Sequence, residues 1–119
     1  MTQDFKKLKV YKEAYDLSKD IYNELRDLSG NFRLREQLFS SSTAICANLA
    51  EMSAFSNKNQ QNQKVYTCIG EANETEFWLN FCKDVKLLKE DRFKDFQNRV
   101  KATRMMLFNL QRSIKQEAM

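Results

Sequence analysis

Apolar residues recur every three or four positions along almost the whole chain, which is the spacing of one face of an α-helix. The repeat predicts helices over about residues 6–28, 32–54 and 57–88 and, after a break at residues 89–92, a fourth up to about residue 116. The inward positions of the first helix are Val10, Ala14, Leu17, Ile21, Leu25 and Leu28. Three tyrosines flank this stripe and are predicted to turn their rings inward and their hydroxyls outward: Tyr11, Tyr15 and Tyr22. Four helices with short turns predict an all-α fold, the antiparallel up-down-up-down four-helix bundle, as a single domain over residues 1–119.

Turn signals between the helices are few. Gly30 follows the first predicted helix near its C′ position. Asn57 is a suitable N-cap for the third helix, and Gln60 three residues later completes a capping-box pattern. Gly70 lies in the middle of that helix, where glycine costs about 1 kcal/mol relative to alanine. We therefore expect another helix to approach Gly70 closely.

The second helix contains the segment SSSTAICANLAE, residues 40–51. Another face beside its apolar stripe carries mostly small residues, with one glutamate among them: Ser40, Ala44, Ala47, Glu51 and Ala54. Small side chains let a neighbouring backbone approach, so contact on two sides of this helix is predicted. Asn48 and Glu51 lie near the core and are predicted to form a polar clamp that fixes the register between helices. A ligand site is the alternative for this pair.

The composition offers little for catalysis. Histidine is absent, which removes the commonest general base and the commonest metal ligand. Glu71, Glu74 and Glu76 are the only clustered candidates for acid–base chemistry, and a nucleophile or a di-iron site would lack its histidine partner. We therefore predict a protein without enzymatic activity, cofactor or metal. Three cysteines lie inside helical patterns and are predicted to be free, buried thiols in a reducing cytosol: Cys46, Cys68 and Cys82.

Membrane and secretion signals are also lacking in the sequence. The first ten residues, MTQDFKKLKV, contain no apolar signal core. No window approaches the roughly 20 apolar residues of a membrane span. We therefore expect a cytoplasmic protein without membrane contact.

Several large apolar residues fall off the core stripes: Phe77 and Trp78 on the third helix, and Met105 and Phe108 on the fourth. We call these four residues the apolar patch. A lone bundle would expose them, and exposed aromatic clusters usually mark interfaces. The patch is therefore predicted to be the interface of a homo-oligomer. The alternative is a broad, imperfect core in which the neighbouring Phe81 simply lies inside.

The net charge of +4 is unevenly distributed along the chain. Residues 1–56 hold 8 basic and 8 acidic side chains, whereas residues 92–119 hold 7 basic and 2 acidic ones. Five of the basic residues lie on the back half of the fourth helix and are called the basic stripe: Lys94, Lys101, Arg104, Arg112 and Lys115. Such an array attracts phosphate backbones without sequence specificity, so contact with RNA or DNA is predicted. An ordinary solvated helix face is the alternative.

Three segments, in this order, resemble the four-helix-bundle proteins of the 23S rRNA intervening-sequence family: FKKLKVYKEAYDLSKDIY, SSSTAICANLAE and GEANETE. The resemblance extends over about residues 5–115 and implies a ring-like homopentamer. A related branch comprises the accessory proteins of diversity-generating retroelements, for which the resemblance implies a basic surface that binds nucleic acid and a reverse transcriptase. The predicted function is thus a homo-oligomeric, nucleic-acid-binding accessory protein. The alternative is a protein–protein scaffold or adaptor with no nucleic-acid role.

Overall fold

The computed structural model describes residues 4–27 and 30–117. Within them lie four long helices: α1 (Lys9–Leu25), α2 (Phe32–Met52), α3 (Lys58–Asp84) and α4 (Glu90–Glu117). The molecule measures 49 × 20 × 20 Å because the helices run side by side. At 1.5 Å per residue, the 28 residues of α4 alone span about 42 Å. The predicted all-α four-helix bundle is confirmed.

Each helix packs against two neighbours, so the core is shared by all four. α1 and α3 each contact both α2 and α4, and among the described residues the diagonally opposite helices are not in contact. The largest fully buried side chains include Leu17, Leu49, Leu79 and Phe96. The predicted inward positions of α1 are buried, except Leu28, which lies outside the described residues.

The first helix is shorter than predicted. Phe5–Lys7 form a separate 3₁₀ turn, in which the Asp4 carboxylate accepts the backbone N–H of Lys6 at 3.0 Å. Leu8 is extended (φ −67°, ψ 130°) and separates this turn from α1. A hydrophobic repeat does not register such a break, because the apolar positions continue in phase across it.

The third helix also ends earlier than predicted, at Asp84 rather than near residue 88. Lys86 adopts a left-handed conformation with φ of 64°. The N–H groups of Leu87 and Leu88 then both donate to the carbonyl of Cys82, at 2.8 and 3.1 Å. The usual glycine signal for such a stop is missing from the sequence, so the prediction extended the helix too far.

One local prediction is confirmed and another is corrected. The Asn57 side chain accepts the N–H of Gln60 at 3.1 Å and caps α3. Gly70, by contrast, is exposed, and a Cβ at this position would meet no atom within 4 Å. No helix in the described part of this chain approaches Gly70, because it lies on the outer face of α3.

The three cysteines are free and buried. Burial raises the pKa of Cys46 to about 11 and that of Cys68 to about 12, so both thiols stay protonated near neutral pH. The Cys68 thiol also donates to the carbonyl of Ile45 at 3.4 Å. These thiols therefore act as small core residues. In the described ranges, none of the helices is both long and apolar enough to cross a membrane.

Candidate functional site

Two arginines of α4 hold that helix against α1. Arg92 Nε lies 2.9 Å from Glu24 Oε1, and Arg99 Nη1 lies 2.9 Å from Asp20 Oδ2. All four side chains are partly buried between the two helices. Their charges are therefore balanced within the bundle.

Arg104, which the sequence assigned to the basic stripe, is also paired inside the bundle. Its Nη1 donates to Glu76 Oε1 at 2.7 Å and to Asn73 Oδ1 at 3.0 Å, both on α3. The side chains of Arg104 and Glu76 are each only 23% exposed. The structure thus joins Arg104 to α3, and its charge is offset there rather than presented to a polyanion.

The other four members of the basic stripe remain on the surface: Lys94, Lys101, Arg112 and Lys115. Among the described residues, none of them has a carboxylate within 4 Å. Arg112 donates to the amide oxygen of Asn109, and the Lys115 ammonium lies 5.9 Å from the centre of the Tyr66 ring. Seven and eleven residues separate Lys94, Lys101 and Arg112, so at 1.5 Å per residue these charges extend along about 27 Å of one helix side.

The ion pair between α3 and α4 yields a prediction. Arg104→Ala is expected to lower the free energy of unfolding by about 1–2 kcal/mol, since it leaves a partly buried carboxylate without its partner. Chemical denaturation followed by circular dichroism measures the loss, and a double-mutant cycle with Glu76→Gln should return a coupling of about 1 kcal/mol. Lys101→Ala, on the exposed side of α4, is the control and should stay within about 0.5 kcal/mol of the wild type. Equal losses for Arg104→Ala and Lys101→Ala would contradict a structural role for Arg104.

The apolar patch is exposed except for its tryptophan. Phe77 is 56% exposed and Met105 61%, and Phe108 is similarly accessible. Trp78 is half-buried and packs against the core, with its ring 4.9 Å from that of Phe77 in an edge-on contact. Phe81 is exposed rather than inside a broadened core.

The patch has members at the same level of two neighbouring helices. Glu76 contacts Arg104, so the next residues along each helix, Phe77 and Met105, stand at the same level of the bundle. Gly70 lies on the same outer side of α3 with open space above it. Exposed large apolar side chains next to a glycine that leaves room for another backbone are typical of a contact surface.

The predicted polar clamp is rearranged in the structure. Asn48 Nδ2 donates to the carbonyl of Ala44 at 2.8 Å, on its own helix, and so does not bridge α2 to α3 in the described structure. Glu51 does reach α3, through Lys64 Nζ at 2.9 Å, but at the surface.

A pair of buried hydroxyls does join these two helices. Thr75 Oγ1 and Ser41 Oγ lie 3.0 Å apart, and both residues are almost fully buried. The sequence indicates that Thr75 is buried, because this residue occupies a core position in the strict apolar repeat of α3.

The small-residue face of α2 points outward. Ser40, Ala47 and Ala54 are exposed, and Ala44 is half-buried. α2 is contacted on two sides, by α1 and α3, and Glu51 is the residue of this face that reaches α3, through Lys64. The small face therefore has no helix over it in the described part of the chain.

Catalytic and metal-binding groups are not assembled in the described residues. No three Cys, Asp or Glu side chains there come together as metal ligands. Burial, and secondarily the nearby Glu74, raises the pKa of Glu71. This carboxyl is partly buried, and the chain contains no histidine with which it could share a proton.

These features define a four-helix-bundle protein whose candidate residues lie on its outer surface. The sequence model of the family described as 23S rRNA-intervening sequence protein matches residues 6–109, so the chain belongs to this family. The resemblance of its three sequence segments is thereby confirmed.

A solved structure supports the same architecture. The chain is similar to the crystal structure of a protein of unknown function from the S23 ribosomal protein family of Bacteroides thetaiotaomicron, with a TM-score of 0.80. The two are 22% identical, and the alignment covers 86% of this chain and 97% of the other. At this identity the similarity establishes the fold alone. No curated protein matches the chain.

Proposed function

We propose that this protein is a non-enzymatic, homo-oligomeric accessory protein that binds RNA or DNA through phosphate contacts from α4. One observation carries the proposal. Three arginines of α4 are paired with carboxylates of α1 and α3, whereas four cations remain exposed without such a partner among the described residues. Unbalanced surface cations release counterions when they meet phosphates, which is the main source of non-specific nucleic-acid affinity.

Self-association would bring the exposed cations of several subunits together and so raise the local density of positive charge. Lys101 and Arg112 lie on the same side of α4 as Met105 and Phe108, so an interface over the apolar patch would have these cations at its rim. Symmetry then repeats the array once per subunit. A long polyanion could contact several copies together, which multiplies its affinity. The pentamer implied by the family resemblance would present five such arrays.

The test is binding of labelled 20-nucleotide RNA and DNA, single- and double-stranded, across a salt series. For duplex DNA, the logarithm of affinity should fall with the logarithm of salt concentration at a slope near −0.9 per phosphate contacted. Lys101→Glu with Arg112→Glu should flatten the slope by about two contacts for each engaged subunit and weaken binding about tenfold or more at low salt. Fluorescence anisotropy measures both quantities.

A matched variant controls for net charge. Lys7→Glu with Arg33→Glu changes the total charge equally, at exposed positions away from α4. It should retain most of the affinity and the slope. Equal loss in both variants, or no binding by the wild type at low salt, would overturn the proposal.

The exposed aromatic residues support a second candidate, a scaffold that binds a protein partner. Phe77, Trp78 and Phe81 form one ring cluster, with centroids 4.9 to 6.4 Å apart. Aromatic side chains are enriched in interface hot spots. A reverse transcriptase is the partner class that the retroelement resemblance implies. A wild type that stays monomeric and binds no nucleic acid would favour this candidate.

A further inference from the structure

A groove lies between α1 and α2, on the side of the bundle away from the apolar patch and the basic stripe. Its volume is about 390 Å³, within the size range of small-ligand sites. The lining is mostly aromatic and polar: Tyr15, Ser18, Lys19, Tyr22, Asn23 and Thr43. The sequence pattern suggested that the tyrosine rings turn inward, but Tyr15 is 45% and Tyr22 50% exposed.

The two tyrosine rings are held in place by other rings. Tyr15 stacks on Tyr11, with centroids 5.7 Å apart and planes at 21°. Tyr22 lies 5.3 Å from the ring of Phe39 on α2. A supported ring loses little conformational entropy when a ligand stacks on it, so these surfaces are preorganised for binding.

The charges of α1 are segregated around the helix. At about 100° per residue, Lys12, Lys19 and Arg26 fall on the side that carries the two tyrosines. The acidic residues lie on the adjoining side, together with Lys9: Glu13, Asp16, Asp20, Glu24 and Asp27. The helix is close to neutral as a whole but has one basic and aromatic side.

Ion pairs on this side of α1 lie at the surface and are weak: Arg26 contacts Asp27 at 3.6 Å, with both side chains more than half exposed. Asp20 and Glu24 are already balanced by arginines of α4. Lys19 contacts Asp16 at 3.5 Å, and both side chains are more than half exposed, so the pair is weak and Lys19 can exchange partners. The Lys19 ammonium also lies 4.9 Å from the centre of the Tyr15 ring. A cation therefore lies over one face of the exposed ring.

We propose that this groove is a stacking site for unpaired bases of single-stranded nucleic acid, with Lys19 and its basic neighbours on the phosphates. Surfaces that bind single strands combine aromatic rings with a positively charged path, because every base has a face that can stack. Tyr15 and Tyr22 are seven residues apart, about 10.5 Å along α1, and so offer two separate stacking positions. The proposal rests on the proposed nucleic-acid function and adds a preference for unpaired strands.

The test compares two probes of equal charge on the wild-type protein. One is a 12-nucleotide oligouridylate, and the other is a phosphodiester of the same length with abasic ribose. The wild type is expected to bind the oligouridylate about tenfold or more tightly, since base–aromatic stacking contributes that much per base or more. This comparison requires no variant to fold.

The variant Tyr15→Leu with Tyr22→Leu then locates the preference. Leucine keeps an apolar side chain and suits a helix, and circular dichroism should show an unchanged melting temperature within a few degrees. The variant is expected to bind both probes with equal affinity, while its affinity for duplex DNA stays that of the wild type. Tyr66→Leu, an equally exposed tyrosine on α3, is the control and should keep the preference.

The outcomes separate this inference from the function on which it rests. Salt-dependent duplex binding without any preference for the oligouridylate over the abasic probe would overturn the stacking site and leave phosphate binding by α4 standing. A preference that survives in the double variant, or is lost equally in Tyr66→Leu, would overturn the stacking site as well. No binding of any probe at low salt would overturn both proposals.

Discussion

The variant Phe77→Glu with Met105→Glu is expected to elute as a monomer of about 14.1 kDa, whereas the wild type elutes at several times that mass. Both side chains are more than half exposed in the single chain, so the substitutions leave its core intact. In a symmetric interface each substitution would bury carboxylates away from water and place them opposite their own symmetry copies. Size-exclusion chromatography with light scattering measures the mass directly.

The choice of positions follows from the structure. Trp78 belongs to the apolar patch by sequence, but it is half-buried against the core. Its replacement by glutamate would destabilise the subunit itself and confuse the result. Phe32→Glu is the matched control, because Phe32 is 66% exposed at the start of α2, outside the patch. A wild type of 14.1 kDa, or an unchanged mass in the double variant, would refute the proposed interface.

The substitution Phe96→Ala is expected to lower the free energy of unfolding by about 3–5 kcal/mol. The Phe96 side chain is fully buried among the four helices, and the guanidinium of Arg92 lies 4.8 Å from the centre of its ring. Its removal takes apolar area out of the core and leaves a cavity. Each helix already packs against two neighbours, so the helices cannot move inward to fill it. Since small domains have total stabilities of only about 5–15 kcal/mol, this is a large fraction.

Urea denaturation followed by circular dichroism measures this loss. All samples need the same protein concentration, because assembly contributes to apparent stability. Phe32→Ala, at an exposed ring, is the control and should change the free energy of unfolding by no more than about 0.5 kcal/mol. A loss below about 1 kcal/mol for Phe96→Ala would mean that the centre of the bundle is not packed as described.

The sequence predicted the packing of the bundle better than its helix ends. The core positions of α1 and α3 could be read directly, since a 3–4 repeat of apolar residues must form one buried stripe on a helix. The N-cap at Asn57 was also predictable from the sequence, because it depends on two residues only three positions apart. The end of α3 could not be predicted, since a lysine rather than a glycine adopts the left-handed conformation at residue 86.

The candidate sites were less predictable than the fold. Arg104 and Lys101 look alike in the sequence, yet Arg104 is paired with Glu76 and Lys101 is exposed. Asn48 looked like a bridge between helices but bonds to its own helix. Tyr15 and Tyr22 looked like edges of the core, whereas the structure opens a groove beside them.

Local sequence patterns are enough to predict the all-α bundle, its core residues and the family to which the chain belongs. These follow from the periodicity of apolar residues and from the order of short segments, which neighbouring residues specify. Which charges are balanced and which rings stay exposed depends instead on contacts between distant helices. The pair of Arg92 and Glu24 joins residues 68 positions apart, so its existence depends on how α4 returns along α1, and no local pattern contains that information.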